Sequence, residues 1–289
     1  MKIAISGSTG FIGKQLSEFL LQSGNELIVI SRNDFAGGSN QLAKVIKSAD
    51  VIINLAGASV LRRWNEKNKQ LILSSRVDTT KLLVEAVQMN LSENRPRIFI
   101  SASAIGIYEI DKSHDEFSKV YGNDFLAVVC KAWEEATVDL KELDLRLCTI
   151  RIGIVLGTTG GSLQKMLPLF KAGLGGKIAS GKQPFSFIHI SDFCRAIWHL
   201  IINGESAGVY NLVCPEPTTN ELFTKTLAHY LHRPALFTVP EFALKLIYGK
   251  AAGMLTTGAK VISTRLPGEG FQFKFPDIDA TIADLIKKE

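Results

Sequence analysis

Three observations predict an α/β fold doubly wound about a parallel sheet. Short apolar runs alternate with amphipathic helical segments over the first half of the chain. The runs lack the polar–apolar alternation of a half-exposed sheet, as strands do when helices cover both faces. The first run leads straight into Gly7-x-x-Gly10-x-x-Gly13.

Taken in order, Ile3–Ser6 reads as a strand and Phe11–Ser23 as the helix after the glycines. Glu26–Ser31 is a second strand, Gln41–Lys47 a short helix and Asp50–Leu55 a third strand. Glu66–Gln88 is a long helix, Arg97–Ser101 a strand, Asp124–Glu142 a helix and Arg146–Ile154 a strand. Such βα repetition implies parallel strands with crossover helices.

The pattern breaks after about Leu156. Residues 157–183 are glycine-rich around one amphipathic segment, Leu163–Phe170, and Gly160, Gly161 and the GLGGK stretch (173–177) have the composition of a mobile flap. Short strands are expected at Phe185–Ile190, Val209–Val213 and Leu236–Val239. Helices are expected near Asp192–Ile202, Thr219–Leu231 and Phe242–Gly249, with Asp192 either capping the first of them or standing with His189 on the rim of a substrate lobe. Phe271-x-Phe273-x-Phe275 alternates like a strand with one aromatic, core-facing side. The division expected is a dinucleotide-binding domain over 1–156 with part of 184–213, and a smaller α+β substrate lobe over most of 157–289. The lobe would lie over the carboxyl edge of the sheet, where such folds bind ligands.

The chain has 289 residues, 46% hydrophobic and 21% charged, which suits a globular protein with a large core. Its charge of +5 (33 basic, 28 acidic) is not concentrated in a basic run, so no nucleic-acid partner is expected. No apolar stretch reaches 18 residues, and MKIAIS runs directly into a strand, so neither a membrane span nor a signal peptide is expected. Cys130, Cys148, Cys194 and Cys214 are far apart. They form no zinc or disulfide pattern and suit a reducing cytoplasm.

The glycine turn sits where a phosphate-binding motif needs it. A strand ends and a helix begins, so helix N-terminal N–H groups can face a pyrophosphate. Glycines permit the tight turn and the close approach. Gly7, Thr9, Gly10, Phe11, Ile12 and Gly13 are therefore the expected cofactor contacts, in a Rossmann-type sheet.

Several longer stretches extend the pattern: ISGSTGFIG (5–13), VIINLAG (51–57), LILSSRVDTTKLL (71–83), SASAIGIY (101–108) and DFLAVVCKAWE (124–134). RIGIVLGTTGGSL (151–163), QPFSFIHISD (183–192), VYNLVCPEP (209–217) and GFQFKFP (270–276) continue it. In these the chain resembles the extended short-chain dehydrogenase/reductase superfamily, and within it the uncharacterised epimerase-like (NAD-dependent epimerase/dehydratase-like) family. The resemblance implies a nicotinamide cofactor and a small substrate lobe, but no particular substrate.

Ser31-Arg32 follows the second strand, where an acidic residue would bind a ribose 2′-hydroxyl. A guanidinium can fork onto a 2′-phosphate, so the expected cofactor is NADP(H), with NAD less favoured. Asp34 is the counter-signal. The resemblance places Leu55, Ala56 and Gly57 beside the adenosine and the nicotinamide ribose. It places Ser101 at the cofactor, Ser103 at the reacting oxygen of the substrate, and Arg151 and Gly153 against the nicotinamide. Tyr108, five residues past Ser103, is placed to point into the same cleft, and Arg76 projects from the long helix toward a phosphate, a substrate carboxylate or solvent.

One departure stands out. Reducing and epimerising relatives carry Tyr-x-x-x-Lys on the next helix; aligned on Trp133-Glu134, Leu126 and Cys130 occupy those two positions. Lys131 is about 100° further around the helix. Loss of a general acid–base costs roughly 10²–10⁴-fold in rate. Three consequences compete. Another group (Tyr108, Tyr121 or Cys130) donates the proton, or the reaction needs no such acid, or the protein binds NADP(H) without turnover.

The expected activity is thus that of an NADP(H)-binding oxidoreductase or epimerase acting on a small carbonyl or sugar-like molecule. The alternative is a non-catalytic NADP(H) sensor or partner-binding protein. Helices 66–88 and 124–142 are broad enough in apolar residues to form a homodimer interface.

Overall fold

The computed structural model describes residues 1–287. Its first unit is β1 (Lys2–Ser6), α1 (Phe11–Gln22), β2 (Glu26–Ile30), α2 (Arg32–Ala36), α3 (Gly38–Ile46) and β3 (Val51–Asn54). Next come α4 (Glu66–Met89), β4 (Ile98–Ala104), a short β5 (Ser113–His114), α5 (Phe125–Glu135) and β6 (Arg146–Ile152). β7 (Ile154–Leu156), α6 (Gly161–Lys171), β8 (Gly176–Ile178), β9 (Phe187–His189), α7 (Ile190–Ile202) and β10 (Gly208–Leu212) follow. The chain continues through α8 (Asn220–Tyr230), β11 (Phe237–Val239), α9 (Glu241–Tyr248), α10 (Gly253–Thr256), β12 (Lys260–Val261), α11 (Arg265–Gly268) and α12 (Ile278–Lys287).

Six parallel strands form the main sheet in the order β10-β6-β4-β3-β1-β2. The period of two sorts their side chains. Ile3, Ile5, Val51, Ile53, Ile98 and Ile100 face one core, completed by Leu16 and Leu20 of α1 and Phe193, Ile197 and Leu200 of α7. Ala4, Ile52 and Phe99 face the other, completed by Leu42 and Ile46 of α3 and Leu83, Val84 and Val87 of α4. Both faces are covered, which is the doubly wound, Rossmann-type arrangement. Each fully buried Leu or Ile contributes about 1.5–3 kcal/mol.

The chain leaves β1 toward β2 and later crosses back to pair β3 on β1's other side. This reversal opens a crevice at the carboxyl ends of β1 and β3, the place where such sheets bind ligands.

Local details depart from the sequence expectation. The 124–142 segment stops being an α-helix at Glu135, and a 3₁₀ turn takes over at Val138–Glu142. The expected 146–154 strand splits at Gly153: β6 stays in the main sheet while β7 pairs with β9. A Cβ at Gly153 would lie 2.8 Å from the Ser186 carbonyl oxygen. The last two residues of the GLGGK stretch, Gly176 and Lys177, belong to β8, which pairs with β11. Phe271-x-Phe273-x-Phe275 is not a strand. It is a loop whose Phe271 and Phe275 are buried, held because Asp192 accepts hydrogen bonds from the N–H groups of Lys274 and Phe275. Asp192 therefore does not cap α7; His189 does, its Nδ1 accepting from the Ser191 N–H at 2.9 Å. Among the described residues no helix is long and apolar enough to cross a membrane.

Candidate functional site

The crevice is assembled from strand ends. The Ser6 hydroxyl, fully buried, donates to Asn54 Oδ1 at 2.6 Å, and the Leu55 N–H donates to the Ser6 carbonyl. These bonds clamp β1 to β3. Gly7 then turns with φ +74°, and a Cβ there would lie 2.7 Å from the Leu55 oxygen. A Cβ on Gly13 would come within 2.2 Å of the Gly7 oxygen. Only glycine fits at these two positions, because backbone occupies the space a side chain would need.

Asn65, Asp124, His189 and Thr219 cap α4, α5, α7 and α8 with side-chain hydrogen bonds. α1 begins at Gly10 without one and with no acidic residue in its first turn, as α3 and α6 also do; of these three, α1 is the one that follows the glycine turn at the carboxyl end of β1. Its N-terminal donors are thus left for an external anion. Thr9 and Gly10 are exposed there. The side chains of Phe11 and Ile12 pack on the core instead, so their backbone is what they offer a ligand. The Phe11 ring also fills the space against Gly160, where a Cβ would sit 2.5 Å from it, and so braces the Gly157–Gly161 turn beside the helix start.

At the end of β2, Ser31 and Asp34 form a reciprocal capping box. Hydrogen bonds from the Ser31 hydroxyl and N–H hold the Asp34 carboxyl below the usual range. Arg32 begins α2 and is exposed. This rim therefore carries both a cation and a carboxylate.

The β3 end continues through Leu55 and Ala56 to exposed Gly57. Asn54 Nδ2 donates to Thr80 Oγ1 at 2.8 Å, and Trp133 Nε1 donates to the same oxygen at 3.0 Å. One threonine thus joins β3, α4 and α5. Arg76 lies against Gly57, its Nη1 donating to the carbonyls of Ala58 and Ile72.

The β4 end carries Ser101 and Ser103, each 1% exposed. The Ser101 hydroxyl is buried without a hydrogen-bond partner. Ser103 donates to Glu134 Oε1 at 2.7 Å. Arg151 grips the same carboxylate with Nε and Nη2, both at 2.8 Å, and its Nη1 donates to the Tyr108 hydroxyl at 2.9 Å. Arg151 is 2% exposed, and the bonds to Glu134 and Tyr108 raise its pKa although burial opposes the charge. The Tyr108 hydroxyl donates toward the carbonyl oxygens of Asp115 and Asn211, both at 2.9 Å. Burial pushes the Tyr108 phenol above its ordinary pKa, with Arg151 acting the other way, so it holds its proton at neutral pH.

The structure thus joins Ser103 and Arg151 through Glu134, and Tyr108 through Arg151, while the Gly7–Gly13 turn, Ser31-Arg32 and Leu55–Gly57 follow the carboxyl ends of β1, β2 and β3. Gly153 faces Ser186 and Val213 in its surroundings. Leu126 packs toward Gly106. The Cys130 thiol is buried and pushed up to about 12, chiefly by desolvation, so it is no proton donor near neutral pH. Tyr121 differs from Tyr108: it is 38% exposed, accepts from Arg151 Nη2 at 3.4 Å, and has the Lys131 ammonium 5.9 Å from its ring. Sequence reasoning missed Glu134 as a partner. Its position one helical turn beyond Cys130 was the available signal.

Residues 3–212 match the NAD dependent epimerase/dehydratase family, and 239–285 match a domain of unknown function (DUF1731). Epimerase family protein SAR0825 of Staphylococcus aureus is 34% identical over 98% of both chains. The crystal structure of human epimerase family protein SDR39U1 (isoform 2) with NADPH is 32% identical, with TM-score 0.92 and full coverage of both chains. A nucleoside-diphosphate sugar epimerase from Corynebacterium glutamicum is 30% identical at TM-score 0.78, covering all of this chain and 59% of that one.

More distant structures correct the cofactor expectation. MoeE5 holds NAD in two complexes, each 19% identical with TM-scores 0.77 and 0.75, covering 99% of this chain and 98% of that one. UDP-glucuronic acid 4-epimerase from Bacillus cereus also holds NAD, at 17% identity and TM-score 0.77, covering 100% and 97%. The expectation that NAD is the less favoured dinucleotide is overturned. Arg32 alone was too little to disfavour NAD, because the same rim also carries the Asp34 carboxylate.

Proposed function

The chain belongs to the NAD dependent epimerase/dehydratase family, and on that premise we propose that it binds a nicotinamide dinucleotide and acts as an oxidoreductase or epimerase on a small carbonyl or sugar-like molecule. The observation that carries this is the uncapped start of α1, set over two glycines whose Cβ positions are already filled by backbone. That is the donor set and the open approach a pyrophosphate requires. When bound, the dinucleotide supplies hydride transfer.

The chain's own residues then have separate tasks. Gly7 to Gly13 hold the diphosphate, the Ser31–Asp34 rim meets the adenosine ribose, and Leu55 to Gly57 form the floor of the crevice. Ser103, whose own proton rests on Glu134, accepts a hydrogen bond from the reacting oxygen when that group is in its hydroxyl form. Tyr121, the exposed phenol of the cluster, takes the donor role that Leu126 and Cys130 cannot fill. Its hydroxyl accepts a hydrogen bond from Arg151 Nη2 at 3.4 Å. A homodimer through α4 and α5 belongs to the same proposal, supported by outward-facing Leu71 and Val128. Light scattering tests it.

The deciding experiment is a fluorescence titration with NADH and NADPH in parallel, followed by a carbonyl panel with the dinucleotide that binds. Saturation by either supports the dinucleotide site. Saturation by neither sinks it. Binding without consumption, together with a change in shape or partner affinity, would favour a sensor instead.

A further inference from the structure

Arg76 is a cation without a carboxylate partner among the described residues. It lies half-buried on α4, and its two hydrogen bonds run from Nη1 to the carbonyl oxygens of Ala58 at 2.9 Å and Ile72 at 3.0 Å. Its Cζ stands 5.1 Å from the centre of the Trp133 ring. A Cβ on Gly57 would lie 3.0 Å from Cζ and 3.1 Å from Nη2, so the guanidinium forms the floor directly beneath that exposed turn residue. Burial lowers its pKa, with Cys130 acting weakly the other way.

A cation withdrawn from water without a counter-ion is costly, and a neutral side chain of similar volume is usually at least as stable there. Hydrogen bonds to two carbonyls and a ring face offset part of that cost and leave Nη2 uncommitted. The one surface the guanidinium supports is the Leu55–Gly57 turn beside the α1 start. It also supplies a positive charge close to position 130, where related proteins place a lysine and this chain has Cys130.

We infer that Arg76 receives an anionic oxygen, phosphate or carboxylate, from a ligand lying across Gly57. Two sources share that chemistry: the dinucleotide's diphosphate and an anionic group on the substrate. Only the first rests on the dinucleotide proposal above.

The test compares the wild type with Arg76→Gln, which keeps an N–H donor for the Ala58 and Ile72 carbonyls without the charge, and Arg76→Lys, which keeps the charge. Inorganic phosphate and acetate are titrated by thermal shift in a Gly10→Asp background, which closes the α1 site, and NADH is titrated separately by fluorescence. The expected result is that phosphate or acetate raises the melting temperature, that Arg76→Gln removes the rise and that Arg76→Lys keeps most of it. Without ligand, Arg76→Gln should melt no lower than its parent. If Arg76→Gln also weakens NADH by about tenfold or more, the scale of one charged hydrogen bond, the dinucleotide is the source. If NADH binding is unchanged while the anion response is lost, the source is the substrate. Equal anion and NADH responses in Arg76→Gln and the wild type overturn the inference. So does a lower melting point in Arg76→Gln that Arg76→Lys restores with no anion response in any variant, because the cation is then purely structural. Failure of the wild type to bind NADH or NADPH removes the dinucleotide proposal, and the phosphate and acetate arm still decides Arg76.

Discussion

Substituting Gly10→Asp should push folding and binding in opposite directions. Gly10 has φ −75° and ψ 168°, an extended conformation open to any residue, and a Cβ there would meet only the Gly7 oxygen, at 3.4 Å. An aspartate at this N-cap can accept from the free N–H groups of the first turn, and its charge favours the helix dipole. Replacing glycine gains a few tenths of a kcal/mol from capping and about 0.3–1 kcal/mol from the dipole. The free protein should therefore melt roughly 1–2 °C higher, given the entropy of unfolding expected for a chain of this size. The same carboxylate occupies the anion position. One unit charge about 4 Å from another, at an effective dielectric of about 20, costs about 4 kcal/mol. That is a loss of about 10³-fold in dinucleotide affinity. Differential scanning fluorimetry and a fluorescence titration with NADH and NADPH read the two effects independently. A variant that melts higher and still binds dinucleotide within threefold of the wild type would refute the placement of the diphosphate at α1.

The Glu134–Arg151 pair offers a second test. Glu134→Ala leaves a guanidinium that is 2% exposed without its bidentate partner. Unpairing a buried charge costs about 3–5 kcal/mol, roughly 5–8 °C for this length. The Glu134→Leu/Arg151→Met double variant should recover much of that loss, and strict additivity in a thermal melt would show that the pair is uncoupled. Alkaline pH probes the thiols. Cys130, Cys148, Cys194 and Cys214 are each pushed up to about 12 by burial, while an unfolded thiol ionises near ~8.5. The folded chain therefore holds more protons between those values. Stability is full below about pH 8.5 and falls toward pH 12, by up to ~1.4 kcal/mol per pH unit for each thiol. Urea midpoints at pH 8, 9 and 10 should decline in the wild type and decline less in Cys148→Ala; parallel curves would count against the assignment. Finally, Tyr121→Phe should leave dinucleotide affinity within twofold and lower any turnover by roughly 10²-fold or more. Full turnover in that variant would remove Tyr121 as the proton donor.

Much of the fold is written in neighbouring residues. Apolar runs such as DVIINL and RIFIS, alternating with helical periods, suffice for a parallel sheet covered on both faces. The Gly7–Gly13 spacing suffices for the turn at its carboxyl edge. These signals are local, since a strand's period of two and a helix's period of 3.6 act over a few residues. Where sequence reasoning fell short, a distant side chain decided. Asp192 looks like a helix cap until Lys274 and Phe275 arrive to claim its carboxylate. The 146–154 run looks continuous until Gly153 meets Ser186.

The candidate site divides in the same way. The sequence alone determined the Gly7–Gly13 turn, the absence of a Tyr-x-x-x-Lys pair and the identity of the serines ending β4, because each is carried by a short contiguous stretch. Tertiary structure alone decided that Glu134 binds both Ser103, 31 residues away, and Arg151, 17 away. It alone brought Asn54 and Trp133 onto Thr80 across 26 and 53 residues, set Arg76 beneath Gly57, and separated a sealed Tyr108 from an exposed Tyr121. Local patterns say which face of an element is buried, but which polar groups meet depends on how strands and helices are juxtaposed. A charge withdrawn from water must find its partner in that assembled interior.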